Sequence, residues 1–210
     1  MKNEGYSMHL SDGVLSLPLI ITTSVAAGGV LWYSVQHIRE KEIPAISLLT
    51  AVFFILALIN IPLGPSTVHP LLCGVIGILA GRRSALAIGI GLLFHALLFQ
   101  HGGITTLGAN LLILSLPAYL CHFIYQWMGA RWKWNASFVA GCCGFAGILT
   151  AVGIGSLLLS LSSSFYSEGT FSTIRLLALS HLPLAIIEML LTGFVIGQLA
   201  KFRPQLVAAG

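Results

Sequence analysis

Seven histidines stand in an otherwise apolar sequence, and imidazole is the side chain best suited to holding a transition metal near neutral pH. His9 precedes the first long apolar run. His69 follows the turn Gly64-Pro65-Ser66, His95 lies inside an apolar run, and His101 stands just beyond that run's end. His181 opens the last run. Glu188, the only carboxylate within any run, follows it by seven positions, two helical turns, so the pair share a helix face. Ionisable groups inside apolar spans are costly and mark functional positions. Imidazoles converging on a closed site suit a borderline divalent ion such as Ni2+, Co2+, Cu2+ or Zn2+, whereas Mg2+ and Ca2+ want oxygen donors. His37 and His122 read instead as structural or interfacial. Residues 100–110 add two adjacent glycines, able to turn sharply, with Thr105, Thr106 and Asn110 beside them. A capped helix hairpin is the plainer reading of that segment. Its concentration of hydrogen-bonding side chains favours support of a site.

Elements that could position these groups are written in the composition. Of 210 residues, 57% are hydrophobic and 8% charged, against about 25% charged in a soluble domain. Long apolar runs cover 14–36, 43–63, 84–99, 107–128, 136–161 and 174–199, with a shorter one at 70–81. About 20 apolar residues are needed to cross a bilayer, and a β-barrel would show short alternating segments instead. The expectation is an all-α, polytopic transmembrane helical bundle of about seven helices. Counting the short run places eight of the ten basic residues on one side (Arg39, Lys41, Arg82, Arg83, Arg131, Lys133, Lys201 and Arg203) and leaves Lys2 and Arg175 on the other. By the positive-inside rule the N-terminus is then outside and the C-terminus inside. The first run is not read as a cleaved signal peptide, because its basic residues follow the apolar stretch rather than precede it.

Several functions are excluded. No G-x-x-x-x-G-K-[ST] occurs, so the chain has no P-loop for ATP, and no H-E-x-x-H occurs to suggest an intramembrane metallohydrolase. No basic cluster points to nucleic acid. Cys73, Cys121, Cys142 and Cys143 fall in apolar segments and read as small packing residues. Small residues at four-residue spacing (Gly77 and Gly81; Ala136, Ala140 and Gly144; Gly147, Ala151 and Gly155) let helices approach closely, within the monomer or against another membrane subunit.

The motifs resemble one family. Met8-His9-Leu10-Ser11-Asp12-Gly13 is similar to the N-terminal M-H-[IL]-x-[DE]-G of the CbiM/NikM family, the substrate-specific membrane components of energy-coupling-factor cobalt/nickel transporters. Ser66-Thr67-Val68-His69 looks like its loop histidine, and residues 100–110 like its H-G-G-[LIF]-T-[TA]-L-G-[AV]-N signature. His181-Leu182-Pro183 with Ile187-Glu188, and then residues 201–206, resemble its last helix and tail. The resemblance implies that Met8, His9 and His69 bind the metal through four nitrogens: the α-amine of Met8, the amide and Nδ1 of His9, and one imidazole nitrogen of His69. Such a tetragonal donor set accommodates Ni2+ or Co2+. His101, Asn110, His181 and Glu188 would form the polar surroundings.

In this reading the ion is transported substrate, and no catalytic cofactor is expected. Release inward would require a transmembrane coupling component and cytoplasmic ATP-binding subunits, with a small accessory membrane subunit in some systems, all in the bacterial inner membrane. A stand-alone, ion-coupled secondary transporter using Glu188 as a proton site is the alternative. Residues 8–210 are expected to form one substrate-binding domain. The seven residues ahead of Met8 depart from the family pattern: either translation begins at Met8, or the extension is removed, or it is foreign to the natural chain. Affinity is expected to fall as pH drops through the imidazole range near ~6.5.

Overall fold

The structure, a computed structural model, describes residues 9–59, 61–63, 66–131, 135–163 and 173–208. Met8 and the seven residues before it lie outside that set. The chain forms α1 (Leu17–Val35), α2 (Ile43–Leu56), a ribbon of β1 (Ile61–Leu63) and β2 (Ser66–Val68), α3 (Cys73–Ala80), α4 (Ser84–Phe99), α5 (Leu107–Arg131), α6 (Ala136–Ser162), α7 (Thr173–Phe202) and a short α8 (Pro204–Ala208). The apolar runs become helices because each is long, uninterrupted by charge and bounded by turn residues. The exception is the end of the run 43–63, where Ile61–Leu63 pairs antiparallel with Ser66–Val68. Pro62 suits this edge position, since proline can give no amide to a helix ladder.

Among the described residues, five segments are long and apolar enough to cross a membrane: Leu17–Val35, Cys73–Phe99, Leu107–Gly129, Ala136–Ser162 and Thr173–Phe202. The second of these is two helices. A straight helix of 27 residues would hold its ends about 40 Å apart. Yet His69 and His101, which flank the segment, have ring centroids 5.9 Å apart. The chain doubles back at the 3-10 turn Gly81–Arg83, where Gly81 has φ +50, a conformation that glycine adopts without steric cost.

Contacts fix the helix directions. The Thr50 hydroxyl donates to the Ala87 carbonyl, and His95 meets the Phe54 carbonyl, so α2 and α4 run together. The Leu86 amide donates to Ser34 near the end of α1, which sets α1 antiparallel to α4. Cys121 donates to the Cys143 carbonyl, and Ser137 to the Gly193 carbonyl, which reverses α6 against both α5 and α7. One end of the bundle thus gathers residues 9–16, 66–72 and 100–107. The other gathers Arg39, Glu42, Arg82 and Arg83, where the buried Arg83 guanidinium donates to the carbonyls of Ser34, Gln36 and His37 and pairs with Glu42. Large apolar side chains point outward, Leu17, Val25 and Trp32 at 68%, 72% and 68% exposure, as lipid-facing residues do. The small-residue stripe of α6 faces inward: a Cβ on Gly144 would strike Thr192 and the Glu188 carbonyl, and one on Gly147 would press on Cys121 and Cys73.

Candidate metal centre

The centre begins with the segment ahead of α1. Asn110, one turn into α5, grips the backbone of Leu10 from both sides. Its Oδ1 accepts from the Leu10 amide at 2.8 Å, and its Nδ2 donates to the Leu10 carbonyl at 3.0 Å. That carbonyl also accepts from the Thr106 hydroxyl and the Gly103 amide. Asp12 accepts from the hydroxyl and amide of Thr105, and these bonds hold its carboxyl below the usual range. The double glycine is needed for closeness: a Cβ on Gly103 would lie 2.2 Å from Asp12 Oδ1, and one on Gly102 would lie 3.2 Å from Asn110 Nδ2. The segment is plugged into a socket of residues 102–110, and the plug carries His9 inward.

Three imidazoles meet there. Ring centroids are 4.6 Å apart for His9 and His69, 5.0 Å for His9 and His101, and 5.9 Å for His69 and His101. One nitrogen from each lies within 4.8 Å of the other two. His69 comes from the stretch between β2 and α3. His101 is turned in by Gln100, whose φ of +51 ends α4. His69 Nδ1 faces the Pro70 carbonyl, an acceptor only, which leaves the lone pair on Nε2. Both His69 Nε2 and His101 Nε2 are buried without a hydrogen-bond partner. A buried orphan of this kind costs about 1–3 kcal/mol, and coordination to a cation would remove that cost. With metal–nitrogen bonds of about 2.0–2.1 Å, donors around one ion lie about 2.9–4.1 Å apart, so closure of the triad needs a shift of roughly 1 Å.

Electrostatics favour the neutral ligands that a metal requires. Burial drives His9 well below the ordinary imidazole value, reinforced by repulsion from His69, His101 and His95. Burial likewise takes His69 down to about 3, partly opposed by its bond to the Pro70 carbonyl, and lowers His101. All three offer lone pairs at neutral pH without first losing a proton.

The remaining sequence-predicted residues fall around this triad. Asn110 holds the plug. His95 lines the wall, its Nε2 donating to the Phe54 carbonyl at 3.0 Å and its ring 5.8 Å from His101. His181 Nδ1 donates to the Leu177 carbonyl at 2.7 Å, leaving a buried Nε2 with no hydrogen-bond partner. Glu188 contacts the turn after His69 through its amides, Leu71 at 2.7 Å and Leu72 at 2.9 Å. His37 and His122 lie at the opposite end of the bundle, around a cavity shared with Arg39, Glu42, Arg82 and Arg83. The sequence offers Thr105, Thr106 and Asn110 as side chains that bond backbone or orient a ligand, and Thr106 and Asn110 do bond the backbone, at Leu10. Leu72 is a residue that the sequence does not single out, because its left-handed backbone has no signal in its residue type.

Comparison with known proteins gives a consistent picture. The family described as CbiM, "Cobalt uptake substrate-specific transmembrane region", matches residues 9–206. The "Cobalt transport protein CbiM" of Desulforamulus reducens is 31% identical over 97% of this chain and 86% of that protein. The "Fused nickel transport protein NikMN" of Rhodobacter capsulatus is 26% identical over 96% of this chain and 64% of that protein. A crystal structure titled as a transition metal transporter superposes with a TM-score of 0.78 over 92% of each chain at 24% identity, which shows the shared fold.

Proposed function

The chain belongs to the CbiM family of cobalt uptake substrate-specific transmembrane regions, and from that premise we propose that it is the capture subunit of an importer for Ni2+ or Co2+. It is a multi-pass membrane protein of cobalt and nickel transport. The observation that carries the proposal is the triad of buried His9 and His69 with half-buried His101, in which His69 Nε2 and His101 Nε2 are left without hydrogen-bond partners. Met8, His9 and His69 supply the nitrogen donors in this reading, with His101 a third imidazole within reach. His9 contributes both its imidazole and its own amide nitrogen, so the competent chain begins at Met8, where the α-amine is free.

In the same proposal residues 8–210 act as one domain. They cross the bacterial inner membrane seven times, with the triad outside and the basic end in the cytoplasm. Energy comes from a coupling component and cytoplasmic ATPases, since this sequence carries no P-loop.

The test is nickel and cobalt titration of four purified chains: full length, one starting at Met8, and the latter with His9→Ala or His69→Ala. His9→Ala removes a chelate ring as well as a ligand and should abolish tight binding. His69→Ala removes one donor and should weaken binding severely but less. A full-length chain, its extension verified intact by mass spectrometry, should bind more weakly than the Met8-start chain. Equal binding would remove the amine from the donor set and leave the imidazoles to hold the ion.

A further inference from the structure

We propose that Glu188 is a positioning residue, a latch on α7 that holds the turn presenting His69 and so ties metal capture to the placement of that helix. The proposal rests on reading the histidine triad as the metal site. Four residues, 69–72, join β2 to α3, and all four are buried. Leu72 has φ +54 and ψ +19, a left-handed conformation that is sterically unfavourable for a residue with a Cβ. Something outside the turn must keep it there. The amides of Leu71 and Leu72 precede the first hydrogen-bonded turn of α3 and have no partner within that helix. Glu188 Oε1 accepts from both, from a position 117 and 116 residues further along the chain. Glu188 is 1% exposed, and its Oε2 is buried without a hydrogen-bond partner, so its chief polar engagement is with this turn.

The geometry gives the latch a consequence for the metal. His69 stands two residues before the first latched amide, and its free Nε2 faces the triad only while the turn keeps its shape. With the carboxylate gone, Leu72 relaxes to an ordinary φ. The turn rotates, and His69 Nε2 leaves His9 and His101. Movement of α7 would do the same, which makes the position of α7 and the affinity at the triad linked quantities.

Nickel chloride titration in detergent tests this, on the full-length and Met8-start chains, as wild type, Glu188→Gln and Glu188→Ala, and with Leu72→Gly and Leu72→Ala each combined with Glu188→Ala. Glu188→Ala should weaken nickel binding about tenfold or more, about 1.4 kcal/mol, and shift the Ni(II) d–d absorption as one nitrogen is lost. Glu188→Gln, which keeps an acceptor oxygen, should fall between. Leu72→Gly should restore binding in the Glu188→Ala background, because glycine takes the left-handed conformation unaided. Leu72→Ala, which loses nearly the same buried side chain, should not. Hydrogen exchange supplies a metal-free readout, with the Leu71 and Leu72 amides protected in wild type and exposed in Glu188→Ala. Nickel affinity and spectrum unchanged in Glu188→Ala, or equal behaviour of the glycine and alanine doubles, would overturn the latch. If neither the full-length nor the Met8-start wild-type chain binds nickel or cobalt, the reading of the triad fails instead, and the exchange experiment still decides whether Glu188 holds the turn.

Discussion

Burial sets the protonation of the triad, and that moves the pH behaviour away from the ordinary imidazole range. In an unfolded chain histidine titrates near ~6.5, whereas in the folded chain His69 titrates at about 3 and His9 well below its usual value. Between those limits the unfolded state binds protons that the folded state does not. The stability of the metal-free protein is therefore complete above ~6.5 and is lost as pH falls toward 3. Thermal unfolding at pH 7.5, 6 and 5 should show a falling midpoint, and His69→Gln should remove part of the slope; a flat wild-type profile contradicts this. Metal affinity should correspondingly persist through pH 6.5, with acid competition setting in lower than the bare imidazole value suggests. A second expectation concerns the clamp. Asn110→Leu strips both bonds from buried Leu10 and should cost about 1–3 kcal/mol in unfolding experiments and weaken nickel binding with it. Thr106→Ala should cost less, since the Leu10 carbonyl keeps the Asn110 and Gly103 donors. The imidazoles were legible in the sequence because such groups are conspicuous among apolar residues. That Asn110 bonds backbone is legible from its type and setting, but its partner Leu10 and the task of Glu188 are not, because both act on backbone about a hundred residues away, and a sequence displays side chains rather than backbone partners.

At the level of elements, run boundaries were read well where charge or glycine closes a run, and α4 spans the same residues as the run 84–99. The second run misled, because Ile61-Pro62-Leu63 continues its hydropathy while joining a ribbon. The ribbon and the short α3 together deliver His69, so the least regular stretch of the chain is the one the site depends on. What lets α3 sit against α5 and α6 is the absence of a side chain at Gly74 and Gly77. A Cβ on Gly77 would lie 2.1 Å from the Ala118 carbonyl oxygen, on the backbone of α5, which cannot rotate aside. Gly77→Ala should therefore push α3 off α5 and destabilise the protein by about 1–3 kcal/mol. Gly28→Ala, where a Cβ meets nothing within 4 Å, should leave the melting midpoint unchanged or raised. Equal melting of the two variants would mean that α3 is not pressed against α5.

The whole molecule is polarised along the bundle axis, with the neutral imidazoles at one end and the arginines of the α1–α2 and α3–α4 connections at the other. In the proposed seven-pass reading that polarity follows from the alternation of helix direction, with α2 and α3 counted as full passes although both are short. Fourteen and eight residues of helix reach only about 21 and 12 Å, so in the proposed seven-pass reading neither helix crosses alone, and non-helical backbone beside them completes the pass. A membrane tolerates such backbone only where protein covers it, and 69–72 is buried throughout. In that reading the positive-inside rule puts the basic end in the cytoplasm. Single cysteines introduced at Ser7 and at Gln205 should react with a membrane-impermeant maleimide from opposite faces of oriented vesicles, the first from outside and the second from inside. Labelling of both from one face would mean an even number of crossings, and one of the two short helices would then have to be withdrawn from the count.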